Sequence, residues 1–202
     1  MKDEKKIDVI WERGQEGGKT RPINQEILFN NTVEVSRCLT KHGIKHWMSH
    51  GTMLGLYRDG HVIPWDDDVD ISCDMKDRDE IEGVMKEMRE AGFFVPDQGD
   101  PEGFIDSEHM PYYDTVFIRD GEKIECWWFE RLKRNDNWWY IYDEPRCGNI
   151  LRHPARYYNE IQFMEFRGVE LPVPNHIEDW IVMMYGENWK TPNKFKKYNH
   201  QR

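Results

Sequence analysis

The stretch that organises this chain is Gly51–Ser72, which reads GTMLGLYRDGHVIPWDDDVDIS. It begins with a Gly-Thr pair and ends in a run of acids that continues into a segment alternating between acidic and apolar residues. Because successive side chains of a strand point to opposite faces, Asp68 and Asp70 project together, while Val69 and Ile71 face a core. The same geometry separates the Cβ atoms of Asp68 and Asp70 by about 7 Å. Both carboxylates can therefore bind one divalent cation or a pair of divalent cations.

The Gly-Thr pair upstream of the acidic strand has complementary chemistry. A turn at Gly51 and Thr52 would offer backbone N–H groups and a hydroxyl to a phosphate. Magnesium favours carboxylate and phosphate oxygens together in its coordination sphere. The residues alone therefore predict a metal-dependent phosphoryl-transfer site with Mg²⁺ or Mn²⁺ as its cofactor.

The same stretch resembles the signature of the LicD/fukutin family, roughly GTLLGxxRxxxFIPWDDDxDI. A second similarity is the segment YGENWKTP at residues 185–192, where Trp189 is expected to pack as a lid on the helix pair. The resemblance implies an α+β fold, in which a nucleotidyltransferase-like mixed sheet is flanked by helices in a single compact domain. The matching signature positions are Gly51, Thr52, Leu54, Gly55, Arg58, Ile63, Pro64, Trp65, Asp66, Asp67, Asp68, Asp70 and Ile71.

A third metal-binding carboxylate is expected from a later strand, since the resemblance implies one before a hydrophobic-aromatic run. That run is IECWWF at residues 124–129, which makes Glu125 the candidate. Family members more often carry Asp at this place, and Asp114 on the preceding strand is the alternative. A solvent-facing strand glutamate is the competing structural interpretation of Glu125.

Phosphoryl transfer requires charge neutralisation and a base, which suggests roles for these acids. Asp68, Asp70 and Glu125 are expected to hold the metal and to be catalytic. Asp67 is a candidate for substrate binding, and either Asp67 or Glu125 could take the proton of the acceptor hydroxyl as general base. The alternative for Asp66 and Asp67 is that they support the metal ligands or cap a helix or turn.

Three further residues are expected to contact the donor. Gly51 and Thr52 would bind its diphosphate, and Arg58 would offset the charge that develops on the leaving phosphate. The competing interpretation of Arg58 is a salt bridge to Asp59 or Asp66.

The activity that the resemblance implies is transfer of a phospho-alcohol, such as phosphocholine or ribitol phosphate. The donor would be a CDP-alcohol, the acceptor a hydroxyl of a sugar or a cell-surface glycan such as lipopolysaccharide or teichoic acid, and the other product CMP. Two alternatives stay open. One is a nucleotidyltransferase that uses an NTP to modify a small molecule or protein, and the other is a non-catalytic glycan-binding protein that uses its aromatic strands.

Composition narrows the class of protein further. The 202 residues carry a net charge of −10, which argues against a broad nucleic-acid-binding face. No apolar run approaches about 18 residues, so no integral membrane segment is predicted. The predicted location is cytoplasmic, with peripheral attachment at the inner membrane face as an alternative.

Four cysteines without a C-x-x-C pair predict reduced core thiols rather than a zinc ribbon or a disulfide scaffold: Cys38, Cys73, Cys126 and Cys147.

The chain divides into an N-terminal extension (1–22), a LicD-like domain (23–192) and a basic tail (193–202). Within the extension, GQEGGKT is not a P-loop, because Arg13 stands where that motif requires glycine. A group of basic residues is either an anion-contacting patch or ordinary surface charge: Arg146, Arg152, His153 and Arg156.

Periodicity and turn signals predict the secondary structure. Helices are expected at 24–42, 53–57, 77–92 and 177–185, strands at 44–49, 68–72, 112–119, 123–129 and 138–142, and a hairpin at 164–172.

Overall fold

The computed structural model describes residues 23–66, 68–96, 114–144 and 149–193. The N-terminal extension, Asp67, Arg146 and all but the first residue of the basic tail lie outside the described residues. The helices are α1 (Gln25–Lys41), α2 (His50–Asp59), α3 (Ile81–Glu90) and α4 (Ile177–Tyr185), with short 3₁₀ helices at Met75–Glu80 and Ala155–Tyr157. The strands are β1 (His46–Met48), β2 (Asp68–Asp74), β3 (Asp114–Arg119), β4 (Glu122–Arg134), β5 (Asn137–Glu144), β6 (Asn149–Pro154), β7 (Gln162–Phe166) and β8 (Val169–Val173).

The main sheet is mixed and has the strand order β1-β2-β4-β5-β6, with β3 also paired to β4. The long strand β4 organises it: residues 122–129 pair with β2 and β3, and residues 130–134 pair with β5. The β2–β4 pair is parallel, and the remaining pairs are antiparallel. Strands β7 and β8 form a separate antiparallel ribbon. The predicted α+β fold, a mixed sheet flanked by helices, is confirmed.

The helices cover the sheet with amphipathic faces. The side chain of Asn24 caps α1 by accepting hydrogen bonds from the backbone N–H groups of Glu26 and Ile27. Helix α1 packs against both α3 and β4. The buried residues of α3 are those that the sequence spacing predicts: Ile81, Val84, Met85 and Met88. Among the described residues, no helix combines the length and the apolar character that spanning a membrane requires.

Most of the large aromatic side chains belong to the core. Trp47, Trp128 and Trp180 are fully buried. The ring of Trp47 stacks on Tyr158 with centroids 4.4 Å apart and meets Tyr140 edge-on at 5.5 Å. These contacts pack β1, which leads into α2, against Tyr140 of β5 and against Tyr158, which follows the second 3₁₀ helix.

One signature glycine is required by the packing of α2. A Cβ at Gly55 would lie 2.7 Å from the His61 carbonyl oxygen and 2.8 Å from the Ile63 backbone nitrogen. Both contacts are with backbone atoms of the segment that leads from α2 back to β2, so neither can be relieved by rotating a side chain.

We therefore expect Gly55→Ala to lower the free energy of unfolding by about 1–3 kcal/mol, because overpacking forces the backbone to shift. Urea denaturation measures the change. The control is Met53→Leu, a near-isosteric change in the same helix, which is expected to cost less than about 1.5 kcal/mol. A Gly55→Ala protein as stable as the native chain would show that α2 does not depend on this close approach.

Candidate active site

The parallel pairing of β2 with β4 builds an acidic cluster on one face of the sheet. In this register Asp70 lies beside Glu125, and Asp68 lies beside Lys123. Asp68, Asp70 and Glu125 each offer one carboxylate oxygen, and these oxygens lie within 4.8 Å of one another. The three acids singled out from the sequence are thus brought together in space, and they are called the acid cluster below.

The other two acidic candidates lie elsewhere. Asp114 pairs in register with Trp127, and its carboxylate accepts a hydrogen bond of 3.0 Å from the Tyr142 hydroxyl. Of the described residues, only Asp68, Asp70 and Glu125 make up the acid cluster, so Asp114 does not take the third place in it. Asp67 lies outside the described residues.

A lysine that was not predicted to be a site residue lies inside the acid cluster. The Lys123 ammonium lies 2.9 Å from Oδ2 of Asp68 and 2.7 Å from Oε1 of Glu125. Burial acts to lower the pKa of Lys123, but the Glu125 and Asp68 carboxylates outweigh it and the pKa is raised overall. The cluster therefore already favours a cation. Strand alternation could have located this residue, because Lys123 is two positions before Glu125 on the same face.

Asp70 is the buried member of the acid cluster. Its side chain is only 9% exposed. Burial, followed by repulsion from Asp68, Glu125 and Asp66, raises the pKa of Asp70 well above its ordinary value. A further neighbour not chosen from the sequence is His50, whose Nδ1 lies 3.8 Å from Oδ2 of Asp70.

The acid cluster fits a hard divalent cation. It offers carboxylate oxygens from adjacent strands, which are the ligands that Mg²⁺ and Mn²⁺ prefer. Asp68 and Glu125 are partly exposed while Asp70 is buried, so an ion bound here would be anchored on one side and open to a substrate on the other. A divalent ion would also offset the mutual repulsion that raises the pKa of Asp70.

Gly51 and Thr52 lie in the first turn of α2, which begins at His50, rather than in a separate turn before a helix at 53–57 as expected. The Thr52 hydroxyl accepts a hydrogen bond of 2.8 Å from the backbone N–H of Asp70 and so ties the start of α2 to β2. Among the described residues, the Ser49 side chain gives this helix no capping hydrogen bond. The N-terminus of α2, which is the positive end of its helix dipole, therefore lies next to the acid cluster. Its backbone N–H groups can bind an anionic group there.

A cavity of about 190 Å³ lies beside this helix start. Arg58 forms one of its walls, but its guanidinium is already paired: it donates to Asp59 at 2.6 to 3.0 Å and to the Trp189 carbonyl at 3.3 Å. The salt bridge to Asp59 considered for Arg58 is thus present. The Trp189 ring packs against Tyr57 with centroids 5.7 Å apart. The residues that line the cavity include Gly51, Arg58, Trp65 and Trp189.

The sequence of this chain matches a known protein family. Residues 43–176 match the sequence model of the family described as LicD/FKTN/FKRP, nucleotidyltransferase domain. The chain is 25% identical over 191 residues to human ribitol-5-phosphate transferase FKTN, covering 87% of this chain and 39% of that protein. It is also 25% identical over 195 residues to mouse ribitol 5-phosphate transferase FKRP, covering 88% and 36%. The chain thus spans less than half the length of these curated relatives.

Among solved structures, ANT(2″)-Ia in complex with adenylyl-2″-tobramycin aligns with a TM-score of 0.44 and 14% sequence identity, covering 72% of this chain and 68% of that one. The family match includes α2, β2 and β4, which together carry the acid cluster and the helix start beside it. The resemblance in the Gly51–Ser72 stretch is thereby confirmed, and this chain belongs to the LicD/FKTN/FKRP family.

Proposed function

We propose that this chain is a metal-dependent transferase that moves a phospho-alcohol from a CDP-linked donor to a hydroxyl of a sugar or glycan and releases CMP. The observation that carries the proposal is the acid cluster of Asp68, Asp70 and Glu125 at the positive end of α2. Membership of the family supports the reaction class. The ribitol-5-phosphate transferases among its relatives favour ribitol phosphate as the transferred group, with phosphocholine as the alternative.

Phosphoryl transfer asks a protein mainly to position the groups and to neutralise charge. A Mg²⁺ or Mn²⁺ ion bound by Asp68, Asp70 and Glu125 would supply charge neutralisation at the donor diphosphate. The backbone N–H groups at Gly51 and Thr52 would hold the diphosphate at the helix start. The general base for the acceptor hydroxyl is then Glu125 or Asp67, the two carboxylates proposed from the sequence.

The cavity beside α2 is the proposed site for the nucleoside end of the donor. Its 190 Å³ is below the roughly 300–1,000 Å³ typical of pockets that enclose a whole ligand. It would therefore take only one end of a CDP-alcohol and leave the phospho-alcohol outside, over the acid cluster. Trp65 is 42% exposed and offers a face on which a base can stack. In this arrangement Arg58 positions the wall of the cavity through Asp59 and Trp189.

The first test is binding of the donor, which needs no knowledge of the acceptor. The melting temperature is measured with Mn²⁺ and CDP-ribitol, CDP-choline, CDP-glycerol, CTP or ATP in turn. A ligand present at 100 times its Kd stabilises the native state by about 2.7 kcal/mol. We expect one CDP-alcohol to give a metal-dependent shift that Asp68→Asn removes.

Turnover is then measured as CMP released from that CDP-alcohol with a panel of sugar acceptors. Release that EDTA abolishes would support the proposal. Pyrophosphate released from an NTP, without CMP from any CDP-alcohol, would favour a nucleotidyltransferase instead. Metal-independent glycan binding that Asp68→Asn leaves unchanged, again without CMP, would favour a binding protein.

We also propose a cytoplasmic location for the reaction. Cys38, Cys73 and Cys126 are buried free thiols, which is the usual state of cysteines in a reducing compartment. Fractionation of cells that express the chain tests this, with recovery in an extracytoplasmic fraction as the contrary result.

A further inference from the structure

A second cluster of metal-ligating side chains lies between α1 and α3 and shares no residue with the acid cluster. Cys38 and His42 are one helical turn apart at the end of α1, and Glu87 faces them from α3. Each of the three offers one ligand atom, and these atoms lie within 4.8 Å of one another. His42 Nε2 lies 3.0 Å from Oε2 of Glu87. Two helices thus present sulfur, nitrogen and oxygen donors to one point.

A glycine in α3 makes room for the imidazole of this cluster. A Cβ at Gly83 would lie 2.7 Å from Cε1 and 2.8 Å from Nδ1 of His42. Glycine inside a helix is about 1 kcal/mol less favourable than alanine. In the observed position of the His42 ring a Cβ here would overlap it, so glycine allows the ring to lie against α3, one turn before Glu87.

The cluster also contains a cation that a metal ion could replace. Lys41 Nζ lies 2.9 Å and 2.8 Å from the two oxygens of Glu87. Its side chain is 67% exposed, so it can turn into solvent without disturbing the core. Burial, followed by the charge of Glu87, raises the pKa of the Cys38 thiol to about 11, so a metal that takes this sulfur as ligand must displace its proton.

We propose that Cys38, His42 and Glu87 bind a Zn²⁺ ion that links α1 to α3, with water in the fourth position. One Cys, one His and one carboxylate are ligands that zinc accepts at about 2.0–2.3 Å. Thiolate and imidazole are poor ligands for magnesium, so the two clusters select different metals. This site does not depend on the proposed transferase activity.

Cobalt is the probe for this site, because thiolate bound to Co²⁺ gives a charge-transfer absorption band in the near ultraviolet. The full chain is titrated with Co²⁺ in excess Mg²⁺, and Zn²⁺ is then added in competition. We expect the thiolate band to reach its maximum at one equivalent of Co²⁺ and to disappear when Zn²⁺ displaces the Co²⁺. Cys38→Ala is expected to abolish the band, and Asp68→Asn/Asp70→Asn is expected to leave it intact.

Two surface variants keep the test independent of any folding defect in Cys38→Ala. Glu87→Gln removes a ligand and is expected to weaken Co²⁺ binding by about tenfold or more, because losing even an outer hydrogen-bond partner of a metal ligand costs about that much. Lys41→Ala removes the competing ammonium and is expected to strengthen it, which a purely structural salt bridge would not do. Absence of the band from the native chain, or a band that survives Cys38→Ala, would overturn the proposal.

Discussion

Replacing Asp70 by Asn is expected to abolish transfer and, at the same time, to make the metal-free protein more stable. A rate loss of at least about 10³-fold follows from removing a ligand of the ion that neutralises the donor diphosphate. The gain in stability follows from the position of Asp70, whose buried carboxylate faces Asp68 and Glu125. Removing its charge should raise the free energy of unfolding without metal by about 1–3 kcal/mol.

The pH dependence of this gain has a definite sign. The pKa of Asp70 is raised by folding, so the unfolded chain binds fewer protons than the folded chain at a pH between the two pKa values. The native protein without metal should lose stability as pH rises through that range. Asp70→Asn should not show this loss, and the stability difference between the two should vanish below the ordinary pKa of an aspartic acid.

Urea denaturation in EDTA at several pH values measures the stability, and CMP release measures the activity. With Mn²⁺ and a CDP-alcohol the order of the melting temperatures should reverse, because only the native chain gains from binding. Glu125→Gln and Asp114→Asn form a matched pair, since both remove a charge from neighbouring strands. The first is expected to lose transfer and the second to keep most of it. An active Asp70→Asn protein, or one less stable in EDTA, would contradict this interpretation.

Lys123→Met is expected to have the largest effect on the stability of the metal-free protein. It removes the ammonium that bridges Asp68 and Glu125 and leaves mutually repelling carboxylates. Removing one partner of a largely buried ion pair lowers the free energy of unfolding by about 3 kcal/mol. The same change should tighten binding of Mn²⁺ by about tenfold, or 1.4 kcal/mol, because the metal no longer displaces an ammonium.

Calorimetric titration with Mn²⁺ and urea denaturation in EDTA test the two effects separately. Lys123→Arg is the control, since it keeps the positive charge and should keep most of the stability. Weaker Mn²⁺ binding by Lys123→Met would indicate that the lysine supports the ion rather than competing with it.

Part of the acid cluster could be predicted from the sequence, because it depends only on neighbouring residues of one strand. Asp68 and Asp70 share a face because strand alternation extends over only three residues. Glu125 joins them through the parallel register of β2 and β4, a long-range pairing that only the resemblance indicated. Lys123 follows from the same alternation once Glu125 is placed.

The residue at which α2 begins could not be predicted from the local sequence. Gly51 and Thr52 have the composition of a turn, yet they are helical, and the Thr52 hydroxyl bonds to the Asp70 backbone of the neighbouring strand. Local signals were also misleading at His153. It belonged to a possible anion-contacting patch, but it is buried and hydrogen-bonded to the Tyr158 hydroxyl at 2.7 Å. In both cases tertiary contacts outweighed local preference.

We expect Asp68, Asp70 and Glu125 to hold a divalent ion beside the start of α2. The most direct measurement is anomalous diffraction from crystals soaked with Mn²⁺ and a CDP-alcohol. We expect an anomalous peak about 2.0–2.3 Å from oxygens of all three carboxylates, with the diphosphate at Gly51 and Thr52 and the Lys123 ammonium moved off Asp68. Ordered donor without manganese at these carboxylates, and with Lys123 still bridging Asp68 and Glu125, would contradict it.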